Sequence, residues 1–127
     1  MNEQESAALV TAANMEEADR VRELVEAGAP VDARNRTGWT PLMAAANKGH
    51  LALVEYLAGQ GADVDARNQN GWTALMWAAL KGYADVVRFL ADRGADLDAR
   101  GEDGNPPLQL AAGGGHLEIV RDLVERG

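Results

Sequence analysis

The chain copies itself at an interval of 33 residues. The segment beginning at Gly38, GWTPLMAAANKGHLALVEYLAGQGADVDARNQN, returns at Gly71 as GWTALMWAALKGYADVVRFLADRGADLDARGED, with 18 of 33 positions identical and no gap. Shifting by the same interval towards the N-terminus sets Leu24, Gly28, Ala29, Val31, Asp32, Ala33 and Arg34 under Leu57, Gly61, Ala62, Val64, Asp65, Ala66 and Arg67. Shifting towards the C-terminus brings Gly104, Leu108, Ala111, Ala112, Gly115, Val120 and Leu123 into register. The chain therefore divides into four units: 5–37, 38–70, 71–103 and a shortened 104–127. A unit of this size cannot bury an apolar face by itself and must stack on its neighbours, which predicts a solenoid with one continuous core.

Each unit reads as two helices and a projecting turn. Thr40 and Pro41 open the first helix, because a hydroxyl caps orphan amides and proline at the first helical position gives up no hydrogen bond. Leu42, Ala45 and Ala46 share one face, and Gly49 ends the helix. A second helix runs from His50 to Ala58, with Leu51, Val54 and Leu57 on its buried stripe, and stops at Gly61. The stretch from Ala62 to Gly71 alternates along an extended finger closed by a tight turn.

With TPL, a GH step and GADVDA at these offsets, the whole chain resembles the ankyrin-repeat family. The resemblance implies an all-α solenoid of stacked helix-turn-helix units with projecting β-turn fingers, and a non-catalytic role in binding protein. It places the contact surface on a concave face. Finger tips would supply Arg36, Thr37, Gln69, Asn70, Glu102 and Asp103, and first helices Asn47, Lys48, Leu80 and Lys81. Trp39, Met43, Trp72 and Met76 would form an apolar strip between them, since aromatic and methionine anchors within a polar rim suit an interface.

Departures from the family pattern carry their own expectations. Met43, Met76 and Gln109 stand where the family usually has a histidine, so apolar contacts replace a polar ladder between units. Glu16 and Glu17 replace the GH step in the first unit, as in a polar N-terminal cap. Pro106 replaces the capping threonine in the fourth, and the run Gly113–Gly115 marks that unit as the loosest. Middle units carry Tyr56 and Phe89 where end units carry Glu23 and Asp122, which suits polar outer faces at the termini. The sequence stops at Gly127, where another finger would begin; either further units follow or the array ends there.

Other functional readings find less support. His50 and His116, the only histidines, lie 66 residues apart, two periods, and neither has a catalytic partner in reach. The one serine, Ser6, sits in the cap. Asp63 with Asp65, and Asp96 with Asp98, lack the glycine and glutamate spacing of a calcium loop, so they are expected to bond turn backbone and pair with the column Arg34, Arg67 and Arg100. The alternative for that column, and for Arg67 among the contact residues, is an acidic partner. Trp39 and Trp72, one residue before the capping threonines, are expected outside the core, on neighbouring layers roughly 8 to 10 Å apart, as partner anchors. Trp77 is expected to fill a gap between layers.

A net charge of −8 argues against nucleic acid and anionic lipid as partners, and no cofactor or metal is called for. Absent cysteines fit a reducing compartment. The opening MNEQESAALV carries acids where a signal peptide carries basic residues, and no apolar run is long enough to span a bilayer; a cytoplasmic location is expected. A monomer that binds another protein is the principal expectation. The other is a natural or engineered ankyrin scaffold that self-associates through exposed tryptophans or its unsealed last repeat.

Overall fold

A computed structural model describes residues 3–127; the reading of the first residues as lacking a signal segment falls partly on Met1 and Asn2, outside them. Eight helices follow in order among the described residues: α1 Glu3–Asn14, α2 Ala18–Glu26, α3 Pro41–Lys48, α4 Leu51–Gly59, α5 Ala74–Lys81, α6 Ala84–Asp92, α7 Pro107–Gly113 and α8 Leu117–Arg126. There are no strands among these residues. The odd-numbered helices stack α1 on α3 on α5 on α7 as an inner layer. The even-numbered helices each pack on the inner helix that precedes them, and touch one another more sparsely.

The inner helices start as the sequence indicates. Thr40 and Thr73 are in extended conformation, and their hydroxyls accept the amide N–H of Met43 and Met76, each at 3.3 Å. Such caps contribute about 1 kcal/mol each, and both threonines are buried. Pro106 occupies the same place before α7 and supplies no side-chain cap. At the helix ends Gly49, Gly82 and Gly115 adopt φ of 70°, 85° and 76°, whereas one period earlier the chain puts Glu16 at φ 60°.

Burial is broader than a single helical stripe. Every residue from Pro41 to Ala46 is closed to solvent, because α3 is covered by α1, α5 and α4 at once. On α4 the buried set is Leu53, Val54, Leu57 and Ala58, with Leu51 only half-buried, so the expected stripe is displaced towards Leu53. Small alanines line the inner contacts (Ala44, Ala45, Ala78, Ala79, Ala111) and let the helices approach closely. Larger side chains such as Leu42, Leu57, Leu75 and Leu90 fill the space behind them. Each contributes about 1.5–3 kcal/mol on full burial.

Neighbouring pairs also interlock at the inner-helix ends. The ring of Tyr83 lies where a β-carbon on Gly49 would be, 2.7 Å away, and the His116 ring crowds Gly82 in the same manner at 2.6 Å. On the outer layer Arg126 joins Asp92 of α6 to Asp122 of its own helix at 2.9 Å each, and Arg88 pairs with Glu118. Hydrogen bonds donated to Asp122 and Asp92 hold the Arg126 guanidinium above its ordinary, already high, pKa.

Candidate interaction surface

The fingers are built by short polar side chains folding back on their own backbone. Asn35 Oδ1 accepts the N–H of Thr37 at 3.1 Å and of Trp39 at 3.0 Å; Asn68 Oδ1 accepts those of Asn70 at 2.9 Å and Trp72 at 3.0 Å. These two asparagines are what points the tryptophan backbone at the inner layer. Their recurrence 33 residues apart, just after the arginine of each unit, is the signal that locates them in the sequence. Successive fingers are joined by Gln69 N–H to Thr37 O at 3.1 Å and Glu102 N–H to Asn70 O at 2.9 Å.

The arginine column is not paired with the aspartates. Arg34 donates to the carbonyls of Gly38 at 2.8 Å and of Arg67 at 2.6 Å; Arg67 donates to those of Gly71 at 3.3 Å and Arg100 at 2.9 Å. Each guanidinium clamps its own turn and, for these two, the next finger as well. Arg67 thus ties two fingers together within the array while its side chain stays exposed. The aspartates do bond turn backbone: Asp63 and Asp96 accept the amides of Asp65 and Asp98, each at 2.9 Å, and Asp65 accepts that of Asp96 at 2.8 Å.

Where the fingers meet the inner helices, three indoles come together. Trp77, on α5, has its ring centroid 4.7 Å from that of Trp39 and 4.4 Å from that of Trp72, tilted by 31° and 41°. It bridges the two finger-root tryptophans in a tilted stack. All three are half-buried. Trp39 and Trp77 pack on the main core, and Trp72 on a smaller cluster of Met76, Ala99 and Leu110. The expectation that Trp39 and Trp72 stand outside the core is therefore corrected: one side of this slab is structural and the other faces solvent.

The remaining expected contact residues separate into two groups. Met43 is 1% exposed and Met76 0%, so neither can touch a partner. Met43 belongs to the main core and Met76 to the smaller cluster with Ala99 and Leu110. Arg36, Lys48, Gln69 and Lys81 are exposed, and Asn47 and Leu80 half-buried. Gln69 Nε2 donates to the Arg36 carbonyl at 2.7 Å, so its side chain is partly committed to the fingers. Asn47 Oδ1 and Trp77 Nε1 are buried with no hydrogen-bond partner.

Acidic residues are unevenly spread over the helices, with Glu3 and Glu5 on α1 the inner layer's share. Helices α3, α5 and α7 contain no acidic residue, and the chain's two lysines, Lys48 and Lys81, end α3 and α5, where a cation suits the helix C-terminus. The outer helices α2, α4, α6 and α8 carry Asp19, Glu23, Glu26, Glu55, Asp85, Asp92, Glu118, Asp122 and Glu125. The histidines serve local structure: His50 Nδ1 accepts the Leu53 amide at 3.2 Å, capping α4, and His116 Nε2 donates to the Leu80 carbonyl at 3.0 Å.

Stacked helix pairs joined by hydrogen-bonded fingers, with a uniform period, define a repeat protein of the helical solenoid class. The model for ankyrin repeats, in three copies, matches residues 1–68 and 60–127, and the chain belongs to that family. Repeats of this family are generally protein-interaction modules and generally non-catalytic. No curated protein matches the chain. Among the described residues no helix is long and apolar enough to cross a membrane.

Proposed function

We propose that the protein binds another protein reversibly through the finger side of its inner layer and performs no chemistry on it. The observation that carries this reading is the Trp39–Trp77–Trp72 slab, half-open to solvent between acid-free helices and polar finger tips. Tryptophan supplies large contact area at small entropic cost, and hot spots concentrate on such residues when a polar rim excludes water around them. Asn47, Lys48, Leu80, Lys81, Arg36 and Gln69 form that rim. A cytoplasmic, monomeric protein is part of the same reading.

Affinity capture with the purified protein, followed by mass spectrometry, tests it when run beside a Lys48→Glu/Lys81→Glu variant. Both lysines are exposed and make no ion pair among the described residues, so the fold should tolerate the change. A protein retained by the parent and lost by the variant supports the reading; identical retention by both sinks it. A second reading, self-association, draws on Leu108, Leu117 and Val124 of the last helix pair, exposed by 37%, 72% and 60%. Light scattering coupled to size-exclusion chromatography decides between them, since a concentration-independent monomer mass removes self-association.

A further inference from the structure

The repeat supplies an internal control for what the finger side can hold. Position 77 is tryptophan, and its ring fills the interval between the second and third helix pairs against Trp39 and Trp72. One period later the same position is Leu110, 8% exposed, which closes the next interval with an aliphatic side chain. One period earlier it is Ala44, and there the interval stays open. A hollow of about 250 Å³ lies between Val10, Thr11 and Asn14 of α1 and Thr37 and Trp39 of the first finger, with the fully buried Ala44 behind them. Thr11 and Asn14 stand exposed at its rim.

We propose that this hollow receives an aromatic side chain from an acidic segment of the partner protein, stacking on Trp39 as Trp77 stacks on Trp72 in the following unit. The inference rests on the finger-side binding reading and specifies its partner. Size fits: an apolar cavity of about 150 Å³ accommodates a benzene ring, and this one has room for an indole or a phenol. A second hollow of about 330 Å³ shares Thr11 and Thr37 and continues past Ala7 to Arg36, giving the flanking peptide a path. Charge selects the flank. Among the described residues neither hollow has a carboxylate in its lining, although the chain carries 20 acidic residues. Lys48, exposed, stands one helical turn from Ala44 and so on the same face. Such a rim cation steers and orients an acidic segment more than it tightens it.

The test is an NMR titration of the isotope-labelled protein with three blocked pentapeptides: Asp-Glu-Trp-Glu-Asp, the same peptide with alanine for tryptophan, and Lys-Arg-Trp-Arg-Lys. The expected result is saturable shifts at the Trp39 indole N–H and the Val10, Thr11, Asn14 and Ala44 amides with the first peptide. Affinity should fall at least tenfold with the alanine peptide and several-fold with the basic one. Thr11→Tyr, which supplies a ring from the chain's own exposed rim, should abolish the shifts; Asn14→Tyr provides the same block from the neighbouring turn. No shifts with the first peptide, equal shifts with the alanine or basic peptide, or shifts that survive both tyrosine variants would each overturn the proposal. A captured protein that is lost with Lys48→Glu/Lys81→Glu yet kept by Thr11→Tyr and Asn14→Tyr overturns this inference while leaving the finger-side reading intact.

Discussion

Single residues in this chain can be judged against their own copies 33 positions away. Glu16 has φ 60° where Gly49, Gly82 and Gly115 serve the other units. A side chain in the left-handed region costs roughly 1–2 kcal/mol, and glycine removes that strain while adding freedom to the unfolded chain. Glu16→Gly is therefore expected to raise stability by a net ~0.5–1 kcal/mol, read as a higher urea midpoint with unchanged slope. Gly101 presents the opposite case. It stands one period after Asn68, and a β-carbon there would meet Trp72 Cδ1 at 2.7 Å and the Asn70 carbonyl at 3.1 Å. Gly101→Ala should push the indole off its seat at a cost of about 1–3 kcal/mol, with a changed near-ultraviolet circular dichroism spectrum marking the disturbed slab.

At the scale of elements, the last pair is the least supported. Helix α7 has seven residues and no side-chain cap, and Leu108, equivalent to the buried Leu42 and Leu75, is 37% exposed. Repeat arrays draw their stability from each unit plus its neighbour contacts, so α7 and α8 should open first. Hydrogen exchange of amides from Leu108 to Val124 is expected to be well ahead of that from Leu75 to Leu90, and matching protection would refute it. The glycine run contributes unevenly. Gly113 is helical with open space around its missing β-carbon, whereas one on Gly114 would strike the His116 ring at 2.6 Å. Gly113→Ala should then stabilise by ~0.5–1 kcal/mol, measured by thermal denaturation, and slow exchange throughout α7.

For the whole molecule, the tryptophan slab joins folding to recognition. Because Trp39 and Trp72 are half-buried and both stack on Trp77, truncating them together is expected to lower stability by roughly 2–4 kcal/mol, between the cost of a surface change and that of a fully buried tryptophan. Chemical denaturation of the double alanine variant measures this; a loss below ~1 kcal/mol would show that the stack adds little to the array. Binding variants should accordingly be made at the rim, at Lys48, Lys81 and Thr11, where a change in affinity is not confounded with unfolding.

The period, the capping threonines, the helix-ending glycines and the family were legible in the sequence alone, because each is a local property repeated in register. A cap needs only its own first turn, and repetition turns a weak local signal into a strong one. Burial against neighbours was not legible at the same level. The inward direction of Met43 and Met76, the preference of Arg34 and Arg67 for carbonyls over carboxylates, and the bridge made by Trp77 all depend on which groups an adjacent unit brings within a few ångströms. A change from Ala44 to Trp77 is a single substitution between two copies. Only the stacking of the layers decided that it fills one interval and leaves the other open.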